Sequence, residues 1–145
     1  MISLKWSFLK SNWGAISPTA NIDEPIAMSL EDFQYAFASG LPAEFQRASY
    51  ERYVVPESRR VGKGPTTDTA AIDFKRPRPP LLLIAGTEDH IIPASLNRDN
   101  FYAYRLTPAV TDFREFSDRT HLSIAQDGWR EVADYVLAWI QKNQS

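Results

Sequence analysis

The sequence predicts an α/β fold, in which parallel strands carry helices and a helical segment precedes them. Three observations lead there. Leu81–Ala85 is an unbroken apolar run of strand length between Pro80 and Gly86, which suits a strand buried on both faces of a parallel sheet. Trp129, Val132, Ala133, Val136, Leu137 and Ile140 recur with the helical period as one apolar stripe. Between them, a helix at 93–106 leads to a second strand at 111–116, anchored by Phe113 and Phe116. A crossover helix between consecutive strands makes them parallel, with a right-handed connection.

Before these elements the signals are weaker. In residues 1–28, Trp6, Phe8 and Trp13 keep no clean period, so a loose segment with a helical turn or two is expected. Ser29 opens a better helix, because a serine N-cap is followed by Glu31 and Asp32 where the helix dipole favours acids. Phe33 and Phe37 lie one turn apart on it, and Gly40 can close it in a left-handed conformation. A further helix begins at Pro42, runs through Phe45, Ser49 and Tyr53, and ends before Pro56. Gly62 to Thr69 reads as an irregular connection, and Ile72–Phe74 as a short extended piece. The expected organisation is a helical segment over 1–60, a loop connection over 61–79 and a βαβα unit over 80–145.

Composition narrows the classes of function. Hydrophobic and charged contents of 43% and 23% are those of an ordinary globular protein, and a net charge of −2 gives no reason to expect a nucleic-acid partner. The absence of cysteine excludes disulfides, thiol catalysis and thiolate metal sites, and fits a reducing compartment. His90 and His121 are the only histidines, too few for a His-rich metal site. Lys5, Lys10 and Asn12 interrupt the apolar residues near the start, and nothing approaches the ~20 apolar residues that span a bilayer. The expectation is a cytoplasmic protein without a membrane partner.

Two loops carry the chemistry. Gly86-Thr87-Glu88-Asp89-His90 follows the first strand, and Asp118-Arg119-Thr120-His121 follows the second. In open α/β sheets, sites form outside the carboxyl ends of the strands. Neighbouring strands lie about 4.8 Å apart, so a carboxylate from one loop can reach an imidazole from the other.

GTEDHIIP after LLLIA, then DRTH, then GWREVADYVLAWI resemble the last strand–loop–helix units of the α/β-hydrolase family. SLEDFQYAFASGLP and YERYVVPESRRV are similar to part of the cap that such enzymes insert over the active site. The resemblance implies that the chain is the C-terminal part of such a hydrolase, with Asp89 as triad acid and His121 as general base. It implies hydrolysis of an ester, amide or related bond of a small-molecule substrate through a covalent intermediate, with no metal or organic cofactor. Relatives with an aspartate nucleophile open epoxides or displace halides. The family's nucleophile sits in G-x-S-x-G, and the glycines at 14, 40, 62, 64, 86 and 128 make no such pattern with a serine. The chain is therefore expected to lack the nucleophile, the middle strands of the sheet and part of the oxyanion hole, and to be inactive alone.

Plainer readings compete. Asp89 can be a turn residue, and Glu88 is the rival acid. His121 can be a loop histidine bonded to backbone, and His90 a wall or rim residue. Phe33, Phe37, Phe45, Tyr50 and Tyr53 can line a substrate channel or be the inner faces of two packed helices. Arg59 and Arg60 read as a solvated basic patch, Arg119 as a loop brace and Trp129 as core. The alternative to an enzyme is a non-catalytic binding or dimerisation module, for which an exposed sheet edge offers a route to a homo-oligomer.

Overall fold

The computed structural model describes residues 5–18 and 21–143, so the readings at 1–4, 19–20 and 144–145 lie outside the described residues. The chain is mixed α/β. In order it runs α1 (Trp6–Ile16), β1 (Pro25–Ile26), α2 (Leu30–Ala36), α3 (Ala43–Tyr53), β2 (Glu57–Ser58) and α4 (Arg59–Lys63). Two short 3-10 turns follow, then β3 (Leu81–Gly86), α5 (Ala94–Tyr104), β4 (Thr111–Phe116) and α6 (Trp129–Lys142).

β3 and β4 pair in parallel, with Leu81 opposite Thr111 and Gly86 opposite Phe116, so both strands end at the same level. The alternation of β4 sorts its side chains between two helices. Phe113 meets Phe101 of α5 at 5.9 Å between ring centroids, and Glu115 pairs with Arg98 at 2.5 Å. On the other face, Asp112 accepts from the Trp139 indole N–H at 2.6 Å, and Phe116 stands edge-on to Tyr135 at 5.6 Å. The sheet thus lies between α5 and α6.

The stripe of α6 is turned from its expected direction. Val132 is 1% exposed and, with Tyr135 and Trp139, forms the buried side, whereas Leu137 is 55% exposed and Trp129 and Ile140 also face outward. Tyr135 and Trp139 explain the rotation, because each offers an apolar ring to the sheet and Trp139 also finds a carboxylate for its N–H. Val132→Ala is expected to cost about 1.5–3 kcal/mol, and Leu137→Ala less than about 1 kcal/mol. Urea unfolding of the two variants checks this, and equal losses would put the buried side elsewhere. β3 is also less enclosed than its sequence implies: Leu81–Ile84 are half-buried, and only Ala85 and Gly86 are buried. The reason is that β3 has a single strand neighbour among the described residues.

Other local expectations are revised in the first half. The segment read as loose holds the full helix α1, which packs against α2 and α4. A Cβ on Gly62 would stand 2.6 Å from that of Ala15, so the glycine is what allows α4 to abut α1. Residues 59–63, straddling the expected boundary at 60/61, are helical rather than irregular, and Ile72–Phe74 forms no strand. Arg59 is not part of a solvated patch: it is half-buried, and its guanidinium donates to the Gly14 carbonyl of α1. Arg60 pairs with Asp23 in the open.

The N-cap of α2 forms as its residues predict. Ser29 Oγ accepts from the Asp32 backbone N–H at 3.0 Å and donates to the Asp32 carboxylate at 2.7 Å. Phe33 of α2 then packs edge-on against Tyr50 of α3, ring centroids 5.8 Å apart. Pro42 serves as the N-cap of α3.

Candidate functional site

β3 ends in a turn that brings Asp89 back over the sheet edge. One carboxylate oxygen, Oδ1, accepts the backbone N–H groups of Ile91 at 3.0 Å and Ile92 at 2.8 Å. The other, Oδ2, stands 2.9 Å from His121 Nδ1. The side chain of Asp89 is 9% exposed and that of His121 34%. Two backbone donors fix the carboxyl group before the imidazole reaches it. A carboxylate only accepts, so in the neutral imidazole this contact selects the tautomer with its proton on Nδ1 and its lone pair on Nε2. Among the described residues nothing hydrogen-bonds Nε2. The Phe37 ring meets the imidazole edge-on, centroids 5.0 Å apart at 82°.

The loops bearing the two residues are tied together by their own backbones. Thr87 N–H donates to Phe116 O at 3.0 Å, Glu88 N–H to Arg119 O at 2.9 Å, and Asp118 N–H to Thr87 Oγ1 at 3.0 Å. Gly86 makes this approach possible, since a Cβ there would lie 2.0 Å from Arg119 O. Asp118 takes φ 56°, a left-handed conformation that aspartate tolerates better than most residues. Arg119 braces the far end of its loop, donating to Asp127 O at 2.9 Å and Gly128 O at 3.1 Å while pairing with Glu131 at 2.9 Å.

The structure therefore brings Asp89, and not Glu88, onto His121; Glu88 is exposed. His90 faces the other way. Its Nδ1 donates to Tyr35 O of α2 at 2.8 Å and its ring lies 4.6 Å from that of Tyr35, which joins the acid turn to the helical segment. Sequence reasoning paired Phe33 with Phe37 but did not place Phe37 against His121. Their one-turn spacing marks an apolar face without naming what that face meets.

A cleft of about 1410 Å³ opens between α1 and the α2–α3 pair. Trp13, Phe33, Phe37 and Phe45 line it, together with Ile91 and Leu122 from the two site loops. Trp6, Trp13, Tyr53 and Val55 remain exposed there. The same aromatics thus serve as inner helix faces and as cleft walls. Among the described residues no three His, Asp or Glu side chains converge as they would on a metal ion. No helix among them is long and apolar enough to cross a membrane. No family model, no curated protein and no solved structure matches the chain.

Proposed function

We propose that the chain supplies the acid and the general base of an α/β-hydrolase catalytic triad, Asp89 and His121, and that the nucleophile comes from residues outside this sequence. The observation that carries the reading is the 2.9 Å contact of Asp89 Oδ2 with His121 Nδ1 at the carboxyl ends of two parallel strands. Nε2, left without a partner, is where a nucleophile's proton would go. That nucleophile attacks a carbonyl carbon as its O–H proton passes to Nε2. The C–O bond to the leaving group then breaks and the leaving oxygen takes the proton from Nε2. Water repeats the sequence on the acyl intermediate. Asp89 holds the tautomer and stabilises the positive imidazolium. The aromatic cleft suits the uncharged body of a small-molecule substrate.

The purified chain is expected to leave a small activated ester unhydrolysed. A polypeptide that also carries the in-frame flanking coding sequence is expected to turn it over, and to lose that turnover in His121→Ala. Turnover by the chain alone that disappears in His121→Ala would show a nucleophile within it. Activity of the longer polypeptide that survives the substitution defeats the assignment of His121.

One observation favours a second reading, a non-catalytic module that binds or dimerises. β3 has a free edge among the described residues, and Trp129, Leu137 and Ile140 line an exposed side of α6. Light scattering decides whether the chain self-associates, and a monomer throughout the micromolar range removes dimerisation.

A further inference from the structure

His121 sits in the irregular loop that joins β4 to α6, yet two side chains of that loop are almost wholly buried, Thr120 at 2% exposure and Gln126 at 4%. A buried amide needs a partner at both ends, and Gln126 has them. Its Oε1 accepts from the Thr120 backbone N–H at 2.9 Å and from the Thr120 hydroxyl at 2.9 Å. Its Nε2 donates to Asp118 O at 3.0 Å. The Thr120 hydroxyl in turn accepts from Leu122 N–H at 3.1 Å. The bonded backbone groups, at 118, 120 and 122, bracket His121 on both sides. None of them belongs to β4 or α6, so neither element fixes this stretch.

We infer that Gln126 is the positioning residue of the site: its side-chain amide clamps residues 118–122 and thereby holds His121 Nδ1 on the Asp89 carboxylate. The inference rests on the reading of Asp89 and His121 as an acid–base pair. The Arg119 guanidinium does a different task, tying the loop's far end to the start of α6. Loss of the Gln126 side chain therefore leaves the loop attached at both ends and to the acid turn through Asp118 and Arg119, and loosens the stretch from Thr120 to Leu122 that carries the imidazole. A residue needed only for folding would lower stability without selectively loosening that one ring.

The test follows the Nδ1–H proton of His121 by NMR in the full chain labelled with ¹⁵N-histidine. In the parent the proton is expected at low field and protected from water, with its signal displaced in Asp89→Asn. Gln126→Met keeps the length and removes all three hydrogen bonds, and exchange of the proton is expected to quicken about tenfold or more. If circular dichroism shows Gln126→Met unfolded, Thr120→Val takes its place, because it removes the two hydroxyl bonds and keeps the side-chain shape; its exchange should also quicken. An unchanged rate in the folded variant overturns the clamp while leaving the acid–base pair standing. A parent spectrum without a protected Nδ1–H that responds to Asp89→Asn overturns the pair itself, and the clamp with it.

Discussion

Gly86→Ala is expected to separate Asp89 from His121 and to cost about 3 kcal/mol of stability. The new Cβ would stand 2.0 Å from Arg119 O and 2.6 Å from its carbonyl carbon, where ordinary contact begins near 3.4 Å. Both obstacles are backbone, so no rotamer change relieves them. The histidine loop must move off the end of β3, and the Glu88 N–H to Arg119 O bond of 2.9 Å goes with it. Overpacking of this kind costs about 1–3 kcal/mol, and the lost backbone hydrogen bond adds about 0.5–1.5 kcal/mol. The total is a large part of the 5–15 kcal/mol that stabilises a typical domain. Urea unfolding measures the loss, and the His121 Nδ1–H signal reports the separation. A variant within about 0.5 kcal/mol of the parent, its signal intact, would mean that the loops are not in contact at Gly86.

Phe33→Ala is expected to cost about 3–5 kcal/mol, the range for removing a buried aromatic ring, and to lower the thermal midpoint by about 10 °C. Phe33 is 4% exposed, stacks on Phe37 at 5.4 Å and 14°, and meets Tyr50 edge-on. It links α2 to α3. The loss should extend to the site, because Phe37 would keep its contact with His121 while losing its own support. Calorimetry gives the midpoint. A fall equivalent to less than about 1 kcal/mol would show that α2 and α3 do not pack through this ring.

The parts legible in the sequence are those set by local pattern. Leu81–Ala85 declares a strand through its unbroken apolar run and its Pro80 and Gly86 limits, and Thr111–Phe116 follows a helix of crossover length, so parallel pairing is the simplest connection. Asp89 and His121 can be read because each lies a few residues beyond a strand end. What the sequence conceals depends on neighbours. α1 contains Lys5 at its N-cap, Lys10 and Asn12, and its place is secured by contacts with α2 and α4 that no local period reveals. β1 and β2 are two-residue strands paired antiparallel, one of them beginning with Pro25, too short for an alternation to register. The period of α6 is readable, but its buried side depends on where Tyr135 and Trp139 find the sheet. A glutamine in a loop has no positional signature, so nothing in the residues around Gln126 marks it out.

The crossover between the two strands has a consequence for how freely this sequence can drift. Asp89 takes its hydrogen bonds from Ile91, Ile92 and His121, all outside α5, and α5 packs on the sheet face opposite α6. The interval from Ala94 to Val110 therefore works as a spacer: it must return the chain to the start of β4 in register and cover one face of the sheet. Its residues can be exchanged wholesale, in evolution or by design, as long as length and apolar facing are kept. Gly86, Asp89, Thr120, His121 and Gln126 in the short runs on either side have no such latitude, and so two neighbouring stretches of one polypeptide should diverge at very different rates.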